Sequence, residues 1–284
     1  MQAVLAAFVL AGANVQTPTP LDTFAQRALA RALDDRCALF NEQERLALDG
    51  AYLQTRGSLL RQGYSAQTID ESYQQITRNA ASQSCNAEAT SNLAGIIRFA
   101  FAGWLRERTQ TYVSAPGAWQ ATRPFAYDSW VISQGFAGPR LPMVFGIYNR
   151  NGEQSLAAAV HLDADVAAVR VRMRDPERVP SLYDPTLGGL LTINGAPEWT
   201  SYLPPQHGSH QFLASARIAA EDGIFFNFPS AALESLVELD PREAIEVLAF
   251  DASGNRIATR FIGVGDFAAA LAFVRSSPDL SAGR

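Results

Sequence analysis

Lysine is absent from this 284-residue chain, and all 23 of its positively charged residues are arginine. Schiff-base catalysis, a Ser-Lys dyad and the phosphate-binding lysines of P-loop proteins and kinases all need a lysine amine. The sequence therefore excludes those chemistries. The formal net charge of −5 also argues against a nucleic-acid partner, because binding to phosphates needs a basic surface.

Cysteine is scarce, with Cys37 and Cys85 as the only two. Their separation of 48 residues rules out a CxxC redox pair, and no histidine lies between them to complete a metal site. Two thiols in an oxidising compartment usually pair. Closing this loop would stabilise the fold by about 4 kcal/mol in the chain-entropy model. We expect a Cys37–Cys85 disulfide, and the alternative is two unrelated buried thiols.

No apolar run reaches the ~20 residues that a membrane helix needs, so we expect no transmembrane span. Val4 to Ala11 are uniformly apolar, and the small residues that follow fit a signal-peptide cleavage site near Ala13. We therefore expect a periplasmic or secreted protein whose mature N-terminus is disordered up to Pro20. No arginine precedes the run. Either the true start lies upstream of Met1, or the run is an apolar first element of the fold.

Helical periodicity dominates residues 21–111 and predicts a domain of about four helices. Asn41 followed by Glu44 is typical of a capping box, and Ser65 and Asn86 are further candidate N-caps. Short connections between the helices indicate an antiparallel bundle. Cys37 would then end the first helix, and Cys85 would lie between the third and fourth.

The periodicity breaks at residues 112–124, where we expect a linker, and the rest of the chain has strand-like patterns. Residues 125–275 are expected to form a mostly antiparallel β-sandwich, followed by a disordered tail at residues 276–284. The fold class is therefore α+β, with a helical bundle before a β-sandwich. About eight strands are expected at Met143–Tyr148, Gln154–Leu162, Val166–Met173, Leu190–Ile193, Gln211–Ile218, Ile224–Phe228, Ala244–Phe250 and Arg256–Ile262.

Turns and two short helices complete this expectation for the second region. Asn151-Gly152 and Asn194-Gly195 are dipeptides that favour tight hairpins. Apolar patterns at Ser230–Leu239 and Asp266–Val274 predict the helices.

A row of arginines is the first candidate binding site. Arg170, Arg172 and Arg174 alternate with apolar residues, so a strand would place all three guanidinium groups on one face. Such a row suits a carboxylate-rich or phosphorylated ligand. The alternative is an ordinary solvated strand face, with Asp163, Asp165 and Asp175 nearby as partners.

The loop that contains His207 and His210 is the second candidate. Two histidines three residues apart could share a metal ion, although no third ligand is evident, and we expect no bound metal or other cofactor. Ser209 makes a Ser-His-Asp site conceivable, but the GxSxG signature is missing. Trp199 and Tyr202 lie in the same proline-rich segment, which either binds a partner or packs its aromatic rings on the sheet.

The last sixty or so residues form a recognisable series of elements. An aromatic strand precedes a short helix, a strand, a glycine turn, a returning strand and an alanine-rich helix, through Phe225–Pro229, Leu233, Leu236, Ala249–Asp251, Gly254 and Phe267–Leu271. This series resembles the C-terminal part of the invasion-associated locus B-like family of exported bacterial proteins. The resemblance covers about a fifth of the chain. It implies an exported β-sandwich without established catalytic residues, and it assigns no site.

We expect, in consequence, an exported binding or interaction module at the cell envelope, and we favour a protein that is not an enzyme. Its partner would be a protein or another envelope component, and the oligomeric state is left open. The first alternative is an exported hydrolase or metal-dependent enzyme centred on His207 and His210. The second alternative is a small-ligand carrier.

Overall fold

The computed structural model of the protein describes residues 18–115, 117–123, 129–136, 141–150, 152–161, 165–180, 182, 190–192, 200–220 and 223–276. The expected signal segment with its cleavage site lies outside these residues. So do the Asn194-Gly195 turn and residues 277–284 of the expected tail.

Four helices come first, as the sequence predicts: α1 Pro20–Cys37, α2 Glu42–Arg61, α3 Ala66–Ala81 and α4 Glu88–Trp104. Asn41 and Glu44 form the expected capping box, in which each side chain accepts a hydrogen bond from the backbone amide of the other. Ser65 caps α3. The prediction for α4 is wrong by one residue. Its N-cap is Ala87, because a turn in which the Ala87 amide donates to the Ser84 carbonyl delays the helix start.

The disulfide prediction is confirmed. Cys37 and Cys85 are bonded, with 5.6 Å between their Cα atoms. The bond joins the last residue of α1 to the turn between α3 and α4 and so fixes these two parts of the helical region to each other.

Thirteen strands and two helices follow in the part of the chain that the structure describes. The strands are β1 Thr109–Val113, β2 Ala118–Thr122, β3 Trp130–Phe136, β4 Met143–Arg150, β5 Glu153–Val160, β6 Ala168–Arg174, β7 Leu190–Thr192, β8 Thr200–Tyr202, β9 Ser209–Leu213, β10 Ala216–Ala220, β11 Gly223–Asn227, β12 Ala244–Phe250 and β13 Arg256–Gly263. The helices are α5 Ser230–Glu238 and α6 Phe267–Arg275, where the sequence predicts them.

The named strands pair in antiparallel fashion and form three sheets. A seven-stranded sheet has the order β1-β2-β3-β4-β5-β11-β10, and a four-stranded sheet has the order β13-β12-β6-β9. Strands β7 and β8 pair separately. The fold class is therefore α+β, as expected.

Two expectations about this region need correction. Residues 112–124 are not a linker, because they contain the end of β1 and all of β2, which pair along the edge of the larger sheet. Residues 211–218 are not one strand either. The chain leaves β6 at the Ala214 amide, which donates to Val169, and joins β11 at the Ser215 amide, which donates to Asn227. This two-residue crossing divides the expected strand between the two sheets.

Helix α6 packs between α2 and the larger sheet. Seven of its nine residues are buried, as expected for a helix whose own side chains are apolar on every side. On one side, Trp119 of β2 lies against Phe267, with 5.0 Å between the ring centroids. On the other side, α2 comes so close that a Cβ on Gly50 would lie 3.0 Å from the Ala272 Cβ. The helical region and the sheets thus pack against each other directly.

A buried ion pair also links α2 to the start of α6. Arg61 donates two hydrogen bonds, of 2.6 and 2.8 Å, to the two carboxylate oxygens of Asp266 at the start of α6. The Asp266 side chain is 1% exposed and that of Arg61 is 12% exposed. Burial raises the pKa of Asp266, although the charge and hydrogen bonds of Arg61 oppose that shift. Gly57 leaves the room for this pair, since a Cβ there would collide with the Asp266 carboxylate.

The residues described by the structure include no helix that is both long enough and apolar enough to cross a membrane.

Replacing Asp266 by asparagine should lower the free energy of unfolding by about 3–5 kcal/mol, because Arg61 would keep a buried charge without its counterion. Urea denaturation followed by circular dichroism measures this loss. The matched control is Asp70→Asn. Asp70 lies on α3 and forms an exposed ion pair with Arg56, which lies on α2 as Arg61 does. That change should cost less than about 1 kcal/mol. Equal losses in the two variants would show that the buried Arg61–Asp266 pair stabilises the fold no more than an exposed pair does.

Candidate functional site

Strand β6 presents the arginine row as the sequence predicts. Val169, Val171 and Met173 are fully buried in the core, and the three arginines lie on the opposite face of the strand. The row is not uniform, however, because Arg174 is buried whereas Arg170 and Arg172 are partly exposed. The strand pattern therefore gave the correct face, but each arginine has its own environment.

Arg174 forms a buried, two-pronged ion pair with Glu243, which directly precedes β12. Its Nε and Nη2 atoms donate to the two Glu243 oxygens at 2.7 and 2.6 Å, and Nη1 donates to the Val179 carbonyl at 2.7 Å. Burial alone would lower the pKa of Arg174, but the hydrogen bonds and charge of Glu243 outweigh it and raise the pKa. All three donor nitrogens are thus engaged inside the protein.

The other two arginines also have partners within the sheet. Arg172 lies opposite Glu246 in the register of β6 and β12, and the two form an ion pair of 2.6 Å. Arg170 donates to the Gln211 side chain at 3.3 Å, and its guanidinium lies 5.3 Å from the centroid of the Phe250 ring. Much of the row's capacity to bind an anion is consumed by these contacts.

A second group of charges gathers where β6 ends. Asp175 is buried, and its carboxylate lies 3.5 Å from His210 Nε2 and 3.2 Å from Arg178 Nε. It also accepts hydrogen bonds from the backbone amides of Glu177 and Arg178. We call the set Arg174, Asp175, Arg178, His210 and Glu243 the polar corner.

The exposed side of the polar corner consists of Arg178 and His210. The Arg178 side chain is 73% exposed and that of His210 is 38% exposed, whereas the Asp175 carboxylate that holds them is 6% exposed. His207 is exposed as well, on the turn that leads into β9. That turn packs against the segment that follows Asp175. The two come so close that a Cβ on Gly208 would be 2.7 Å from Val179 Cγ2.

Tyr202 lies beside the polar corner rather than in it. Its amide donates to the Arg242 carbonyl at 2.9 Å, and the Arg242 guanidinium lies 6.0 Å from the centroid of its ring. Arg242 in turn forms an ion pair of 2.9 Å with Asp240. Trp199, the other aromatic residue of the predicted binding segment, lies outside the described residues.

The geometry does not join Ser209 to His210. The two are neighbours in β9, so their side chains point to opposite faces of the sheet. The Ser209 hydroxyl instead donates to the Pro205 carbonyl at 2.6 Å. Among the described residues, no group of three or more His, Cys, Asp or Glu side chains is placed to hold a metal ion.

A groove suited to the carrier alternative lies elsewhere, between β5, α5 and the end of α6. Its wall includes the apolar residues Leu156, Phe228 and Leu233, together with Glu234 and Arg275. It is open to solvent and separate from the candidate residues, and the carrier function stays a prediction.

Sequence reasoning missed the acidic partners of the arginine row. Glu246 was detectable in principle, because it is the single charged residue in the otherwise apolar strand β12. Glu243 lies outside the regular strands, where no periodicity marks a buried position. Arg178 follows Asp175 in a turn and was missed for the same reason. Asp175 was expected near the row as an aspartate on a solvated face, but its burial and its contacts with Arg178 and His210 were not predicted.

Replacing Arg174 by methionine should lower the free energy of unfolding by about 3–5 kcal/mol, because the Glu243 carboxylate, only 3% exposed, would lose its counterion. Arg170→Met is the matched control in the same strand, and it should cost less than about 1 kcal/mol. Urea denaturation of both variants tests the difference. A small effect of Arg174→Met would contradict a structural role for the buried pair.

No known protein family, curated protein or solved structure significantly matches this chain. The resemblance of the C-terminal residues to the invasion-associated locus B-like family therefore stays a prediction, and the site has to be interpreted from its own geometry.

Proposed function

We propose that this protein is an exported, non-enzymatic binding module that recognises an acidic group at the exposed side of the polar corner. The observation that carries the proposal is the arrangement around Asp175. A buried carboxylate contacts both Arg178 and His210, so that the acceptor lies inside and the Arg178 guanidinium faces solvent.

A carboxylate is the ligand chemistry that fits this arrangement best. Arg178 uses its Nε toward Asp175, which leaves the outer edge of the guanidinium directed to a ligand. A planar guanidinium binds a carboxylate through two parallel hydrogen bonds. The exposed His207, on the turn that leads into β9, can donate a further hydrogen bond from a ring nitrogen. A glutamate-rich or aspartate-rich segment of a protein partner has the matching groups.

The net charge of −5 opposes an anionic ligand at long range. At physiological salt, however, exposed charges separated by more than about 8 Å are largely screened. The contacts at the polar corner then decide the affinity. Because Arg178 is mostly exposed, we expect weak binding, with a dissociation constant of about 0.1–1 mM.

The state of the ionisable groups favours binding over catalysis. Acid–base catalysis needs a group that exchanges its proton with the substrate. Arg174 and Glu243 are buried against each other, and the Ser209 hydroxyl is directed away from His210. These contacts support a recognition surface rather than a nucleophile and its base.

We further infer that the two larger sheets face each other as a β-sandwich. Inward-facing residues of both sheets belong to one continuous core, including Phe145 and Ile147 from the seven-stranded sheet and Val171 and Val247 from the four-stranded sheet. A shared core between two antiparallel sheets is typical of that architecture.

Export to the periplasm or the cell exterior, with cleavage near Ala13, completes the proposal. The Cys37–Cys85 disulfide supports it, because such bonds persist in oxidising compartments and are rare in the cytosol.

The ligand proposal predicts that a tetraglutamate peptide binds the protein and that a tetraglutamine peptide does not. Isothermal titration calorimetry at physiological salt, where the net charge of the protein is screened, measures both. Arg178→Gln should weaken binding at least tenfold, because it removes the guanidinium that pairs with the ligand. The matched control is Arg256→Gln, an exposed arginine at the start of β13, which should bind like the wild type. Equal affinity of Arg178→Gln and wild type would refute the site.

The export proposal predicts no free thiols in protein isolated from the producing cells without reductant. Alkylation of the unfolded protein, followed by mass spectrometry, counts them. A sample reduced before alkylation should show two modified cysteines and serves as the control. Two free thiols in the unreduced sample would argue against both the disulfide and export.

A further inference from the structure

Helix α4 is apolar on two sides, but the residues that the structure describes cover only one of them. Its inner face packs Ala94, Ile97 and Phe101 against α1 and α2. On the opposite face, Ile96 is 55% exposed and Phe99 is 85% exposed. A helix that is apolar all round normally has both faces buried.

The exposed face forms a continuous stripe along the helix. Residues three or four positions apart lie above one another on a helix. The stripe, which we call the α4 stripe, consists of the exposed residues Glu88, Asn92, Gly95, Ile96, Phe99 and Gly103 of α4 and of the exposed Arg106 in the turn that follows the helix. Its middle is uncharged and its two ends carry opposite charges.

The α4 stripe has no side chain at one position on each side of Phe99. A Cβ built on Gly95 or on Gly103 would meet no atom within 4 Å. A protruding Phe99 ring therefore lies between two positions that have no side chain. Helices approach each other most closely where a large residue of one fits over a small residue of the other.

We propose that two copies of this protein associate through antiparallel packing of their α4 stripes around a two-fold axis. The position of the charges selects the second copy as the partner. In this arrangement Glu88 of each copy lies opposite Arg106 of the other, so both ends of the contact pair opposite charges. Phe99 of each copy then packs over Gly95 and Ile96 of the second copy. A parallel arrangement would place like charges together.

The extent of the α4 stripe sets the expected strength of the dimer. Helix α4 has 17 residues, which correspond to about 25 Å, and Arg106 lies in the turn directly after it. A contact between two single helices buries less than the ~800 Å² per partner of a standard stable interface. The two-fold axis repeats every favourable contact, because the same patch serves both copies. We therefore expect a reversible dimer with a dissociation constant in the micromolar range.

Sedimentation velocity between about 1 µM and 1 mM protein tests the proposal. The wild type should change from monomer to dimer across this range. Phe99→Asp should raise the dissociation constant at least about 100-fold, because it places a carboxylate at the centre of the contact in both copies. Phe99 is exposed, so circular dichroism should show an unchanged fold. Ile218→Asp changes an exposed apolar residue of β10 and should leave the dimer intact.

Charge reversal tests the antiparallel orientation separately. Glu88→Arg and Arg106→Glu should each weaken the dimer, because each variant sets like charges against each other at both ends of the contact. The double variant should restore wild-type association, since the opposite charges again face each other. A protein that stays monomeric at 1 mM would overturn the proposal. So would a dissociation constant of Phe99→Asp equal to that of the wild type, or a double variant that shows no restoration.

Discussion

The close packing of α6 against α2 is the contact on which the rest of the structure depends. Helix α6 is the last element that the structure describes, and its apolar residues complete the core of the larger sheet as well as the contact with the helical region. Gly50 and Gly57 let the two helices approach, and the buried Arg61–Asp266 pair fixes their alignment. Because a helix with this composition has to be covered on all sides, neither region is complete without the other.

Arginine carries the buried positive charges of this lysine-free protein, and its planar group suits that role. Arg123, 3% exposed, shows how a buried cation is satisfied by backbone dipoles. It donates to the carbonyls of Trp104 and Phe273, near the C-terminal ends of α4 and α6, and also to that of Glu107. Helix C-termini carry unpaired carbonyls and partial negative charge. Burial lowers the pKa of Arg123, and its guanidinium lies 4.0 Å from the Phe273 ring centroid. One side chain, from the residue directly after β2, thus contacts two helices.

The polar corner depends on the crossing of the chain between the two larger sheets. The step at Ala214 and Ser215 brings β9 beside β6 and places β10 beside β11. His210 comes near Asp175 only because β9 pairs with β6 in this register, with Met173 opposite His210. The corner and the α4 stripe have different origins, since one follows from strand pairing between distant segments and the other from the composition of a single helix.

Local signals in the sequence determined the helices, their caps at Asn41 and Ser65, the disulfide, the alternation in β6 and the boundaries of β12, because these features depend on neighbouring residues or on helix and strand periodicity. Tertiary structure alone decided that residues 112–124 join the larger sheet, that residues 211–218 divide between two sheets, and that Glu243 and Asp175 organise the charged groups. Pairing partners in a sheet and the burial of a charge are set by residues far away in the chain. The alternation of arginines with apolar residues could indicate that Arg174 lies on a strand face, but only the fold could place Glu243 against it.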